Sequence, residues 1–277
     1  MTILLVNNRF NERTEIKARE IAEKLKARGI EVAIDNGPDT YYSADIDGIV
    51  VLGGDGTVLR AARQYGQRKK PVMAVNMGTV GFLSSIDLSE FDTYIEAFIQ
   101  GKYLIDERIM LDVSIFKQDT LLKRVFCLNE MVIKSGTPRM LEFSLDIDGK
   151  MALNYQGDGL IIATPTGSTA YSLSAGGPIL EPVMESLLLT PIASHMLNRR
   201  PLVLSSKRIL SLSLPKSQKI IISMDGQVSI ELSQESWIEL KQAREKLQLL
   251  KFNDLSFFPS INGEFRKPAK ELPGKDE

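Results

Sequence analysis

The sequence predicts an α/β, Rossmann-like N-terminal half followed by a mostly antiparallel β half, and three patterns carry that prediction. Through residue 103, short apolar runs alternate with amphipathic segments, the mark of βαβ units on a parallel sheet. Beyond Tyr103 the apolar residues recur at every second position instead. Between two such runs lies a glycine-rich loop, Gly53-Gly54-Asp55-Gly56-Thr57, directly after a segment apolar enough to be a strand buried on both faces.

In chain order, Ile3–Val6 reads as a first strand. Ala18, Ile21, Ala22 and Leu25 then fall on one helical stripe, with Gly29 placed to end the helix. Glu31–Ile34 returns as a strand, and Gly48–Leu52 runs straight into the glycine loop. A helix is expected from Thr57 to Tyr65, a strand at Val72–Val75 leading to Asn76-Met77-Gly78-Thr79, and a helix bearing Phe91, Tyr94, Ile95 and Phe98. In the second half, Leu111, Val113 and Ile115 alternate with polar residues, as do Leu145 and Ile147, and later Leu210, Leu212 and Leu214. Asp148-Gly149 and Asp225-Gly226 are hairpin-turn dipeptides. The expected division is an α/β domain over 1–103, a β-rich domain over 104–247, an apolar segment over 248–266 that packs back on the first domain, and a flexible tail over 267–277. Leu249, Leu250, Phe252, Leu255, Phe257 and Phe258 make that returning segment too apolar for solvent.

Composition narrows the function classes. The chain of 277 residues is 43% hydrophobic and 25% charged, which is ordinary for a folded globular protein. A formal net charge of −1 leaves no global positive field for nucleic acid or an anionic membrane, so neither is expected as a partner and any anionic ligand must be held locally. No apolar run reaches the ~20 residues that cross a bilayer. Cys127 stands alone, so no internal disulfide can form, and with no leader-like N-terminus a cytoplasmic location is expected. The lone His195 excludes a histidine-rich metal site and reads as a packing or surface residue.

The glycine loop carries the chemistry. A strand ending in Gly53-Gly54 and opening a helix at Gly56-Thr57 presents backbone N–H groups at a helix N-terminus, a phosphate-binding arrangement. It lacks the lysine of the P-loop and the spacing of the dehydrogenase fingerprint. Asp55 is the informative residue, because a carboxylate among phosphate-cradling amides repels the anion unless the chemistry needs a proton acceptor. The alternative is that Asp55 merely caps the following helix. Further along stand Asn129-Glu130, then Gly157-Asp158-Gly159, then Thr164 to Ser172 in the order TPTGSTAYS, and Gly176-Gly177-Pro178. Asn129 and Glu130 can offer an amide and a carboxylate to sugar hydroxyls or base edges, Tyr171 can stack or hydrogen-bond, and the hydroxyls of Thr166, Ser168 and Thr169 can converge on a ligand. Their plain alternatives are a solvated strand end, a turn carboxylate at Asp158 and a helix cap.

In order and spacing these motifs resemble the NAD kinase family over nearly the whole chain. The resemblance implies the two-domain NAD kinase fold and transfer of a phosphoryl group from ATP, or in some members polyphosphate, to the 2′-hydroxyl of the adenosine ribose of NAD, giving NADP. It implies a divalent cation, usually Mg²⁺, and a homo-oligomer, dimer or tetramer, with the dinucleotide between the two domains and near a neighbouring subunit. By the same resemblance Asp55 is the proton acceptor, and the dinucleotide meets Gly56, Arg60, Asn129, Glu130, Asp158 and the run Thr169, Ala170, Tyr171, Ser172, Leu173 and Ser174. Ala193 and Gln227 follow in a looser match. Gln156 stands where some members carry a basic residue and Arg139 where others have His or Lys. Two rivals share parts of the pattern. A lipid kinase would want an amphipathic basic or apolar membrane-facing surface, against which the neutral charge balance speaks. A non-catalytic dinucleotide sensor would not need Asp55.

Overall fold

The computed structural model describes residues 1–8, 12–35, 37, 41–77, 81–83, 86–194, 200–214, 219–232 and 235–252. The first layer is built from β1 (Thr2–Asn7), α1 (Glu12–Lys26), β2 (Glu31–Asp35), β3 (Gly48–Gly53), α2 (Asp55–Tyr65), β4 (Pro71–Asn76), β5 (Ile86–Asp87), α3 (Phe91–Ile99) and β6 (Leu104–Arg108). The second half supplies β7 (Leu111–Lys117), β8 (Thr120–Cys127), β9 (Glu130–Ser135), β10 (Leu141–Ile147), β11 (Lys150–Gly157), β12 (Gly159–Ala163), the short helix α4 (Tyr171–Ser174) and β13 (Ser186–Ile192). It continues with β14 (Leu202–Ser205), β15 (Leu210–Ser213), β16 (Ile220–Met224), β17 (Val228–Leu232), β18 (Ser236–Gln242) and β19 (Leu247–Lys251).

The first sheet runs β2-β1-β3-β4-β19-β6, with β5 alongside the end of β4, and its pairs are parallel except β19 with β6. Continuous apolar runs made β1, β3 and β4, and both of their faces are buried. Ile3, Leu5, Val50, Leu52, Met73 and Val75 meet α1 and α3 on one side, while Leu4, Val6, Ile49, Val51, Val72 and Ala74 meet α2 on the other. β1 leads outward to β2 and β3 leads the opposite way to β4, so the strand order reverses between β1 and β3. A crevice opens at the carboxyl ends of strands at such a point. The glycine loop leaves β3 there.

Among the described residues the second half forms two six-stranded antiparallel sheets, β11-β10-β15-β18-β7-β8 and β14-β13-β12-β9-β16-β17. Their inner faces interlock through Leu111, Val113, Ile133, Leu145, Ile162, Leu189, Leu212, Ile222, Ile238 and their neighbours, a sandwich core of the kind that strict alternation dictates. The opposite face of the second sheet packs Val132, Ile161, Ala163 and Leu188 under Leu180.

The returning segment is seen as β19, which adds parallel to β4, and Phe252 packs at a tilt against Tyr94 of α3. Leu255, Phe257, Phe258, His195 and the tail lie outside the described residues. One segment differs from the alternation-based assignment. Residues Leu104–Arg108, assigned from the sequence to the β-rich half, form β6 at the border of the first sheet, paired antiparallel with β19. The charged Asp106 and Arg108 turn inward there while Leu104 and Ile105 stay exposed, so no apolar pattern marks the strand as part of the first sheet. A test of the sandwich core follows: Ile162→Ala should lower stability to unfolding in urea by about 2–5 kcal/mol, the usual cost of a cavity at a fully buried site.

Candidate active site

Helix α2 opens the site. Gly54 is its N-cap, in an extended conformation and without a side-chain cap, so Asp55 is the first helical residue and does not cap the helix. The Asp55 carboxylate instead accepts the backbone N–H of Phe82 at 3.0 Å and of Leu83 at 3.2 Å. A Cβ at Gly81 would overlap that carboxylate, so the absence of a side chain at 81 is what lets the 81–83 backbone approach it. Asp55 is half-buried, Gly54 and Gly56 are exposed, and Thr57 is buried against Gly53. Exposed amides at the positive end of a helix beside a fixed carboxylate suit an anion that must also lose or gain a proton nearby.

Arg60 lies one turn on and is engaged inside the first domain. Its guanidinium donates to Asp35 Oδ1 at 2.9 Å, to the Gly37 carbonyl at 3.0 Å, to Gln64 Oε1 at 2.8 Å and to the Asn7 carbonyl at 2.9 Å. Tyr65 also donates to Asp35. The buried Asp35 needs a counter-charge, and Arg60 provides it while tying the ends of β1 and β2 to α2. In this arrangement the Arg60 guanidinium is engaged by acceptors within the first domain.

The second domain meets α2 through the β16–β17 turn. Gln227 donates from Nε2 to the Gly56 carbonyl at 2.6 Å and accepts from Arg63 at 2.7 Å. Two residues earlier, the Asp225 N–H donates to the Glu130 carbonyl at 2.9 Å. Asn129 and Glu130 thereby stand close to the glycine loop, although they lie far away in sequence. The Thr164 N–H donates to the Asn129 carbonyl at 2.8 Å, and the Thr164 hydroxyl to the Leu128 carbonyl at 2.6 Å. Gly167 presses so closely on Asn129 that a Cβ there would overlap its carbonyl.

Glu130 is the most unusual group in the site. It is 5% exposed, and its Oε2 is buried with no hydrogen-bond partner. Burial, reinforced by the charge of Asp225, pushes its carboxyl up to about 8. A buried carboxyl oxygen without a partner is costly unless a ligand satisfies it.

The TPTGSTAYS run divides by direction. Ser168 donates to the Pro165 carbonyl at 2.6 Å and accepts the Leu180 N–H at 3.0 Å, and Ser172 bonds Thr190 at 2.7 Å, so both hydroxyls brace the loop internally. Thr169 likewise donates back to Thr166. Ala170, Leu173 and Ser174 keep surface, and Tyr171, 36% exposed, receives Lys134 both at its hydroxyl, 2.7 Å, and over its ring, 4.6 Å from the centroid. Asp158, Gln156 and Ala193 gather at the far end of β12, where the Asp158 N–H donates to the Ile192 carbonyl at 3.1 Å and Ser194 reaches the Gln156 carbonyl. Gln156 itself donates to Glu142, and Arg139 is exposed in the neighbouring β9–β10 connection. Glu130 pairs with Ala163 and Lys134 with Gly159, so the two ends are separated by four residues of strand, roughly 14 Å. The sequence-predicted residues thus form two groups at the two ends of β12, near Asp55 and near Asp158, with Tyr171 beside the second. Sequence reasoning passed over Lys134, Arg63, Gly81 and the side chain of Asp225. Only Lys134 left a signal, since even spacing from Glu130 puts it on the same strand face.

Among the described residues no group of three or more His, Cys, Asp or Glu is gathered to hold a metal. Asp55 offers a hard oxygen of the kind Mg²⁺ takes, and Mg²⁺ usually draws its other ligands from substrate phosphates and water. No described helix is long and apolar enough to cross a membrane.

Comparison with known proteins places this geometry. Residues 3–103 match the ATP-NAD kinase N-terminal domain and residues 128–252 the ATP-NAD kinase C-terminal domain. The chain is 38% identical over 277 residues to the NAD kinase of Lachnoclostridium phytofermentans, covering 94% of this chain and 97% of that one. It is 36% identical over 260 residues to the NAD kinase of Clostridium beijerinckii, covering 93% and 91%. Among solved structures, yeast NADH kinase complexed with NADH superposes with a TM-score of 0.85 at 25% identity, covering 98% of this chain and 90% of that one. An NAD kinase from Archaeoglobus fulgidus in complex with ATP gives 0.74 at 28% identity, covering 96% and 99%. With both halves of the chain matched in order and the two-domain fold shared, this protein belongs to the NAD kinase family of phosphotransferases.

Proposed function

We propose that the protein transfers the terminal phosphoryl group of ATP to the 2′-hydroxyl of the adenosine ribose of NAD, forming NADP, with Asp55 as the proton acceptor. The observation that carries this reading is the placement of a half-buried carboxylate, aimed by the Phe82 and Leu83 amides, at the N-terminus of α2 and across the domain junction from Glu130. The likeness to an ATP complex and to an NADH complex supports donor and acceptor of these classes.

In the reaction the 2′-oxygen forms a bond to the γ-phosphorus as the bond from that phosphorus to the β–γ bridging oxygen breaks, and ADP leaves. The hydroxyl proton passes to the Asp55 carboxylate, which later returns it to solvent. The N–H groups at the exposed start of α2 and the helix dipole stabilise charge on the transferring group. Glu130, through its unpartnered Oε2, takes a hydrogen bond from a ribose hydroxyl and so fixes the sugar. Tyr171 with Lys134 covers the outer part of the dinucleotide, and Asp158 and Ala193 receive its far end. A magnesium ion would be held by the donor phosphates and the Asp55 carboxylate, and would supply charge neutralisation.

Incubating the pure protein with Mg²⁺, ATP and NAD, then with polyphosphate or NADH in place of each substrate, tests the reading. NADP from the first mixture is expected, and its absence with every donor and metal would remove the proposal. Asp55→Asn should lose about 10²–10⁴ in turnover while still binding dinucleotide, the range for a general base. Gly81→Ala should also depress kcat with little change in folded content, because the new methyl displaces the Asp55 carboxylate. Turnover at the parental level in either variant would count against Asp55 in this role.

Glu130 gives a test that needs no catalysis. Its folded carboxyl lies above its ordinary value, so folding takes up a proton. Its favourable contribution is complete below the ordinary 4.5 and is lost as pH rises through about 8. Glu130→Gln lacks this linkage. The thermal midpoint of the ligand-free variant should therefore gain on the parent from about pH 5 to about pH 8 and then level off. A difference independent of pH would show that Glu130 is not held protonated.

A further inference from the structure

The β16–β17 turn holds a carboxylate that phosphoryl transfer as described does not use. An aspartate in a turn ordinarily bonds its own backbone two residues on. Asp225 does something else. Its left-handed backbone, φ 50°, sends the side chain inward to a fully buried position. There it accepts three consecutive backbone N–H groups from 95 to 97 residues earlier in the chain: Leu128 at 3.1 Å, Asn129 at 2.8 Å and Glu130 at 3.2 Å. With the Asp225 N–H bonded to the Glu130 carbonyl, one residue fastens the whole segment that carries Asn129-Glu130.

The same carboxylate faces α2. Arg63, two turns along the helix from Asp55, sits 3.8 Å from Asp225 Oδ2 and donates to Gln227, whose amide holds the Gly56 carbonyl. Arg63 is itself largely buried, with one guanidinium nitrogen, NH1, making no hydrogen bond, so its charge is committed to Asp225 rather than to solvent. Burial raises the Asp225 carboxyl to about 6 against the pull of these donors, so it stays ionised near neutrality. Cys127 and Glu130, the other titratable groups beside it, bring no compensating positive charge.

We infer that Asp225, acting with Arg63, is a positioning residue for phosphoryl transfer. It locks the Asn129-Glu130 backbone to α2 and thereby sets the distance between the acceptor-binding pair and Asp55. A displacement of ~1 Å between reacting groups can cost on the order of 10²-fold in rate, so a clamp of this kind acts on kcat. The inference rests on the reading of the site as phosphoryl transfer to a dinucleotide.

The test uses the full chain, as parent, Asp225→Asn, Arg63→Gln and the double variant, assayed with Mg²⁺, ATP and NAD and followed in parallel by amide hydrogen exchange over residues 127–131. Asp225→Asn keeps the side-chain volume and one acceptor oxygen, and Arg63→Gln leaves all three amide bonds in place. Each single variant should lower kcat about tenfold or more, with KM for ATP within about twofold, and the double variant should lose clearly less than the product of the two losses. Exchange at 128–130 should accelerate in Arg63→Gln although that substitution lies on another element. Unchanged kcat in both single variants, multiplicative losses in the double variant, or unaltered exchange in Arg63→Gln would each overturn the clamp. If Asp225→Asn does not fold, Arg63→Gln decides by itself. A parent protein without kinase activity would sink the phosphotransfer reading instead, and the exchange results would still judge the clamp.

Discussion

The site depends on α2 being held from both sides. Val58, Leu59, Ala61, Ala62 and Tyr65 are buried in a cluster that includes Leu4, Val6, Ile49 and Val51 of the parallel sheet together with Met110, Leu128 and Ala243 from the region of the sandwich. A helix buried nearly all round, its polar Thr57 and Arg60 included, has little solvent face to turn outward, so its axial position and rotation are fixed by packing. Its N-terminus is consequently delivered to the crevice between β1 and β3. Asp55 inherits that placement, and so do Arg60, Arg63 and Gly56, which reach three different neighbours from three faces of the same helix. Ala61-Ala62 and the neighbouring Leu59 and Arg60 favour the helical state intrinsically, so local preference and tertiary packing agree.

The same helix explains how two domains with unlike architectures form one site. The parallel sheet presents backbone amides at its strand ends and at the start of α2. The sandwich presents side chains along a flat strand face, and among its described residues no helix matches α2 in length. Joined through α2, Gln227 and Asp225, they place amides and Asp55 on one side and Asn129-Glu130 on the other. A second junction forms where Arg108 of β6 donates to Thr166 at 3.2 Å and to Asp106 at 2.7 Å, while Lys251 of β19 also holds Asp106. This fastens the TPTGSTAYS loop to the border of the first sheet. The two junctions flank the cleft.

Legibility in the sequence followed the range of the interactions. Strands β1, β3 and β4 were readable because burial on both faces leaves an unbroken apolar run, and the sandwich because a period of two has one physical cause. β6 escaped because its charged residues, Asp106 and Arg108, are the ones turned inward. Within the site, Asp55 was readable from its immediate neighbours: three glycines and a helix start define what its carboxylate sits among. Ser168 and Ser172 were readable as part of a ligand-facing run but not in direction, since their inward turn depends on Leu180 and Thr190. Arg60 was named as a ligand residue, and its engagement by Asp35 depends on the end of β2. Asp225 was visible only as half of a turn dipeptide, because its partners stand more than ninety residues away.

Asp225 and Glu130 show how one small volume separates two tasks between like groups. Both are buried carboxyls, both are raised by desolvation, and they lie close enough for the charge of Asp225 to add to the shift of Glu130. Asp225 has three amide donors and Arg63, which hold its burial-driven rise to about 6, so it is ionised near neutrality. Glu130 has a buried oxygen with no donor, so it keeps its proton to about 8. Neighbouring titratable groups pushed apart in this way take different roles. The charged member is fixed and organises backbone, while the neutral member is left with an unfilled hydrogen-bonding position at the cleft. A ligand hydroxyl that donates to Glu130 Oε2 favours the ionised form, so arrival of the sugar should release the proton that the empty site retains.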